Sequence, residues 1–172
     1  FLKDEGKPLF FPGGAGSVME AVDADLLARA IAWAGGSEAA RNGAFNVTNG
    51  DVFIWENVWP AIADAMGMQP GPPMPQSLGA SMPARAAGWD RLRVKHGLVA
   101  PGLNDFVGLS FQYADLCMNY DAERGAPSAF SSPALVSTIK IRRAGFYDAM
   151  DTEEMFRNNF REFQEKRLLP PP

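Results

Sequence analysis

Phe45-Asn46-Val47-Thr48-Asn49-Gly50-Asp51-Val52-Phe53-Ile54-Trp55 is the stretch whose reading decides the fold class. Phe45 to Thr48 alternates apolar and polar residues as a half-buried strand does, and Asn49-Gly50 is a turn pair. Asp51 is then placed to cap a helix in which Val52, Trp55, Trp59, Ile62, Ala63 and Met66 form an apolar stripe ending at Gly67. A strand that turns into an amphipathic helix predicts an α/β chain, mixed α+β on its own, helix-rich with a few short strands.

Upstream, Leu9-Phe10-Phe11 lies between Pro8 and Pro12 and reads as a strand that leaves into the turn Gly13-Gly14-Ala15-Gly16. From Asp23, a second capping residue, the period becomes helical: Leu26, Leu27, Ala30, Ile31 and Ala34 share a face, and Gly35-Gly36 stops it. Downstream, Pro70, Pro72, Pro73, Pro75 and Pro83 forbid regular hydrogen-bonded structure over residues 67–83 and predict a connector or flap. Trp89 and Leu92 fall at helical spacing over Ala84 to His96, with Gly97 as terminator. Between Phe106 and Met118 the mixed periodicity leaves helix and strand open, as it does from Leu135 to Ile141; a polar turn spans Asp121 to Pro133. The last element is a helix capped by Asp151, with Glu154 in capping-box position and Phe156, Phe160 and Phe163 on the docking face.

The 172 residues suit one domain, and with a net charge of −4 and no basic block a nucleic-acid partner is not expected. No apolar run approaches the ~18 residues of a membrane span, so no membrane partner is expected either. The one cysteine, Cys117, excludes an internal disulfide and points to a reducing, cytoplasmic setting. Phe1 to Gly6 reads as the last turn of a helix meeting its C-terminal glycine, so the sequence is expected to start mid-fold.

Candidate chemistry is sparse. His96 is the only histidine, and at a helix end it suits exposed carbonyls or water better than a triad or a zinc centre. No metal site is expected. Cys117, in an apolar stretch, reads as packing rather than as a nucleophile. Gly13, Gly14 and Gly16 lack the offsets of a dinucleotide loop, and a plain turn is the better reading. Asn46-Val47-Thr48 matches a glycosylation sequon but falls in the predicted strand. No tyrosine has a lysine four residues on, since Tyr113, Tyr120 and Tyr147 are followed there by Cys117, Arg124 and Asp151. The chain therefore lacks the tyrosine–lysine pair of a dehydrogenase site.

Glu5-Gly6-Lys7-Pro8-Leu9-Phe10-Phe11-Pro12-Gly13, Asp23-Ala24-Asp25-Leu26-Leu27-Ala28 and Ala44 to Trp55, with Lys95-His96-Gly97-Leu98, Ala144-Gly145-Phe146 and the closing Leu169-Pro170, resemble successive stretches of one family. It is the extended short-chain dehydrogenase/reductase superfamily, in its progesterone 5β-reductase and iridoid synthase-like group. The resemblance implies that residues 1–172 form a single C-terminal substrate-binding region. The Rossmann half, with the glycine-rich loop and the catalytic Tyr and Lys, would lie upstream of Phe1. It also implies an NADP- or NAD-dependent parent enzyme reducing a small apolar enone or related carbonyl compound, with hydride added to the β-carbon while a tyrosine polarises the carbonyl. A homodimer is left open. Alignment on Asp23-Ala24-Asp25 puts Met19 at a pocket-lining position, where a thioether makes the wall more apolar, and Phe130 in a loop that supplies aromatics to the pocket and is expected to act as its lid. Two other readings stay open: a sugar-nucleotide epimerase or dehydratase, which would want cationic diphosphate contacts, and a non-catalytic interaction domain.

Overall fold

The computed structural model describes residues 1–128, 133 and 135–172. The first helix, α1 (Ala24–Gly36), starts where the capping signal puts it, with Asp23 Oδ1 accepting from the Leu26 amide at 2.8 Å. Its inner face buries Leu26 and Ala30 against Ile141 and Phe146, and Trp33, Phe45, Val47 and Met150 close this first core. The outer half of the same stripe faces out, Ile31 being 65% exposed.

Residues 45–48 do not form the expected strand. Extended pairing lies one step later: the Asn49 amide donates to Ala21 O at 2.8 Å, and Met19 and Phe53 exchange both backbone hydrogen bonds at 2.9 Å. The following helix, α2 (Trp55–Ala65), accordingly starts at Trp55 and leaves Val52 exposed. Asp51 does not cap it. Its carboxylate instead accepts from the Thr152 amide at 2.9 Å and from Thr152 Oγ1 at 2.6 Å, at the start of the last helix.

The proline-rich connector is more ordered than its composition predicts. Prolines have no amide proton, but the residues between them do. Gly71, Met74 and Gln76 donate to Leu9 O, Phe11 O and Pro12 O at 2.8–2.9 Å, laying the connector along residues 9–12. Ser77 then caps a short helix, α3 (Leu78–Ser81), and a 3-10 turn over Pro83–Arg85 leads into α4 (Ala86–His96). Gly97 ends α4 at φ 61°, in the left-handed region that glycine enters without a Cβ penalty. The segment left open from 106 is helical: α5 (Leu103–Val107) and α6 (Ser110–Cys117). Trp89 and Leu92 pack on Ala100 and Leu103 in a second core, where the Trp89 and Phe106 rings stack at 5.7 Å.

The polar turn contains a two-stranded antiparallel ribbon, β1 (Tyr120–Asp121) with β2 (Ala126–Pro127), and α7 (Ile139–Arg143) occupies the other open segment. The last helix, α8 (Thr152–Glu165), is capped as expected, Asp151 Oδ1 accepting from the Glu154 amide at 2.8 Å. Phe156 and Phe160 dock on Phe53, Val58 and Ile62 in a third core, but Phe163 is 41% exposed because Thr152 and Met155 take the innermost positions. Glu153 pairs with Arg157 at 3.1 Å on the solvent side, and Glu162 with Lys166. Among the described residues no helix is long and apolar enough to cross a membrane.

Candidate functional site

Met19 lies on a segment that bonds to residues on both sequence sides of Phe130. Gly14 N donates to Met118 O at 2.8 Å, Asn119 Nδ2 donates to Ala15 O at 2.9 Å, and the Ser128 amide donates to Asn119 O at 2.8 Å. On the far side, Glu20 Oε2 accepts from the Val136 amide at 2.7 Å. Residues 14–20 thus bond to Met118 and Asn119 on one side and to Val136 on the other. Phe130 itself lies outside the described residues. Met19 is half-buried and packs against the Phe53, Val58 and Ile62 core, while its neighbour Val18 is 37% exposed.

The glycine turn is closed by this packing. A Cβ at Gly13 would stand 2.4 Å from Met118 O, and one at Gly14 would stand 2.3 Å from Asn119 O. The glycines let two backbones touch, with the Gly14 amide taken up by Met118 O.

Beside the ribbon, α6 presents an apolar face outward. Leu109 just before it, Tyr113 and Leu116, at i, i+4 and i+7, are 78%, 67% and 71% exposed. The Cys117 sulfur, one turn after Tyr113, holds the Tyr113 phenol above its ordinary range, first as a hydrogen-bond partner and then, once ionised, as a negative charge. On the inner side of α6 the buried Asp115 carboxylate accepts from Ser77 Oγ at 2.7 Å, Leu78 N at 2.7 Å and Gly79 N at 3.1 Å. That carboxylate fastens the connector to α6, so the outward face sits on a fixed support. Sequence reasoning missed this face because apolar residues occupy both sides of α6, Phe111 inward and the other three outward.

A cavity of about 530 Å³ opens elsewhere, beside the N-terminal turn, with Trp59, Met66, Met68, Met82, Trp89 and Leu169 among its walls. Met19 is not one of its lining residues. His96 is, half-buried at the end of α4. Among the described residues no group of three or more His, Cys, Asp or Glu side chains is placed to hold a metal.

No protein-family model matches the chain. It is 31% identical over 176 residues to (S)-8-oxocitronellyl enol synthase of Antirrhinum majus and 29% identical over 177 residues to the enzyme of that name from Catharanthus roseus, each alignment covering 98% of this chain and 42% of the relative. Over 70 residues, 39% of the chain and 18% of the relative, it is 41% identical to 3-oxo-Delta(4,5)-steroid 5-beta-reductase of Arabidopsis thaliana. The chain therefore spans about two-fifths of the length of its full-span relatives. Its helix-rich fold with one small ribbon agrees with the C-terminal part of such a protein. The chain belongs to the progesterone 5β-reductase and iridoid synthase-like group of extended short-chain dehydrogenases/reductases, as its C-terminal half.

Proposed function

We propose that residues 1–172 form the substrate-pocket region of an NAD(P)H-dependent oxidoreductase that reduces an enone or related carbonyl compound, and that Met19 and Phe130 contribute to one wall of that pocket. The observation that supports the site reading is the double tether: Ala15 and Glu20, either side of Met19, bond to Asn119 and Val136, which stand before and after Phe130 in the sequence. Two segments far apart in sequence are thereby kept side by side, as a preformed pocket wall requires. The outward face of Leu109, Tyr113 and Leu116 adds apolar surface beside the ribbon. Surface of this kind suits a small hydrocarbon-rich carbonyl compound. It does not suit a sugar diphosphate, which needs clustered cations.

The nicotinamide, which supplies the hydride when bound, and the tyrosine that polarises the carbonyl are placed in the Rossmann half upstream of Phe1. This chain's share is to bind and orient the substrate and to keep water from it. The reading assigns the protein to the cytoplasm, with no nucleic-acid or membrane partner. The experiment is to express the longer protein and follow NADPH and NADH consumption with one bulky and one small enone. Turnover of neither overturns the reading. Phe130→Ala and Met19→Ala are expected to raise KM for the bulky enone about ten-fold with little change in kcat. Equal losses on both substrates, with a lower melting temperature, would assign the two side chains to packing instead.

A further inference from the structure

The Asp115 side chain, 5% exposed, closes a ring of hydrogen bonds through three segments of the chain. In the connector, the Gly71, Met74 and Gln76 amides donate to Leu9 O, Phe11 O and Pro12 O. Two residues on from Pro12, the Gly14 amide donates to Met118 O at 2.8 Å, just past the end of α6. From within α6, Asp115 returns to the connector, accepting from Ser77 Oγ and from the Leu78 and Gly79 amides. Residues 9–14, the connector and α6 are therefore each bonded to the other two.

Two features of the last link set its geometry. Ser77 Oγ donates to Asp115 while it accepts from the Ala80 amide at 2.9 Å, so the carboxylate is bonded to the residue that caps α3. Gly79 stands so close to α6 that a Cβ there would lie 3.1 Å from Asp115 Oδ2 and 3.1 Å from Gln112 Cγ, and one side would have to give by a few tenths of an ångström. An apolar side chain at 115 would tolerate several offsets of α6 over the connector, whereas three directional bonds to one carboxylate admit one. We propose that Asp115 is a positioning residue: it sets the spacing between residues 14–19 and α6, and with it the spacing of the two apolar surfaces, Met19 and the Tyr113 and Leu116 face, that the functional reading gives to the substrate. The proposal rests on that reading. Asp115 lies on the inner side of α6 and touches no substrate; it acts through Met118 and Gly14, on the segment that continues to Met19.

The experiment compares Asp115→Asn with Gly79→Ala. Asparagine keeps the volume but turns one acceptor into a donor that faces other donors. Alanine at 79 removes no hydrogen bond and restricts the unfolded chain, so its one adverse effect is to press the connector and α6 apart. In the 172-residue chain, Asp115→Asn is expected to speed hydrogen exchange of the Gly14 amide about ten-fold and to leave the Asn49 amide unchanged. No change at Gly14 overturns the proposal whatever the reaction. In the longer protein, both variants are expected to raise KM for the bulky enone, Asp115→Asn about ten-fold and Gly79→Ala about three-fold, with kcat within about two-fold and the small enone little affected. Gly79→Ala is expected to do so without lowering the melting temperature. Equal losses on both enones, or KM changes that appear only where the melting temperature falls, make Asp115 a structural tie and overturn the proposal. Unchanged KM in both variants of an active protein overturns it and leaves the functional reading standing. Turnover of neither enone by wild type overturns that reading, and the proposal with it.

Discussion

Asn49 and the outward face of α6 are opposite solutions to placing side chains. Asn49 is fully buried with every polar group engaged: Oδ1 accepts from the Asp23 amide at 2.6 Å, Nδ2 donates to Thr152 Oγ1 at 2.9 Å, its amide donates to Ala21 O, and its carbonyl accepts from Met150 N. One amide side chain joins the segment before α1 to the start of α8, and Asp51 makes a second link to Thr152. At α6 the large side chains of Tyr113, Leu116 and, just before the helix, Leu109 stand mostly in water. Buried polar groups cost stability unless paired, whereas exposed apolar groups cost little within the fold. The first region is therefore built for this chain's own stability. The second is fastened by Asp115 and leaves its apolar face in water.

The sharpest break of that contrast is Asn49→Ala. It orphans the buried Asp23 amide, at ~1–3 kcal/mol for a buried unsatisfied group, and removes the bond that Thr152 Oγ1 accepts, while that hydroxyl still donates to Asp51. One orphaned amide together with one further lost bond, at ~1 kcal/mol, predicts a loss of about 3 kcal/mol in urea unfolding. A loss under ~1 kcal/mol would mean that the pin is dispensable and the contrast is false.

The next test lies within one helix. Phe160 packs half-buried in the third core, while Phe163 is 41% exposed. Phe160→Ala is expected to cost about 2 kcal/mol, below the ~3–5 kcal/mol of a fully enclosed aromatic, and Phe163→Ala less than ~1 kcal/mol. Equal costs would show α8 rotated from the position its caps give it.

These two regions also mark what could be read from sequence. Asp23 and Asp151 were legible as caps because the bond each makes spans three residues. Asp51 looked identical and acts 101 residues away, a choice that only tertiary packing makes. The periodicity that put Phe163 inward could not register that Thr152, tied to Asn49 and Asp51, sets the rotation of α8. In the connector, prolines masked the amides of Gly71, Met74 and Gln76 that bind it to residues 9–12. At the candidate site, Met19 and Phe130 came from family resemblance alone, and the tether beside them depends on Asn119 and Glu20, whose partners lie 104 and 116 residues away. No local pattern encodes contacts of that range.

A smaller effect is expected on α6. Leu116→Ser exchanges one exposed apolar side chain for a polar one, so unfolding should shift by no more than ~0.5 kcal/mol. In the longer protein the same change should lower the melting temperature or weaken kcat/KM if that face is covered there. A loss above ~1.5 kcal/mol in the 172-residue chain would show Leu116 to be enclosed already.

The smallest effect carries no stability change and asks whether α6 is a formed helix while its outer face is bare. Tyr113 and Cys117 are four residues apart, so the phenol and the sulfur meet only when the intervening turn is helical. In that geometry the sulfur accepts the phenol proton's hydrogen bond and its thiolate opposes a second negative charge, and both raise the phenol titration. The sign follows from linkage. A group held above its ordinary value favours the folded helix fully below that value and loses the advantage as pH rises through the raised one, so the window lies on the alkaline side of ordinary tyrosine titration. Because Tyr113 is exposed, the readout is the titration itself, followed by near-ultraviolet difference absorbance. Cys117→Ala is expected to move one tyrosine's ionisation to lower pH and leave thermal unfolding at neutral pH unchanged. If the titration does not move, the turn between the two residues is frayed. The exposed stripe would then belong to a segment that becomes helical only when covered, and the contrast with the Asn49 pin would be one of order as well as of burial.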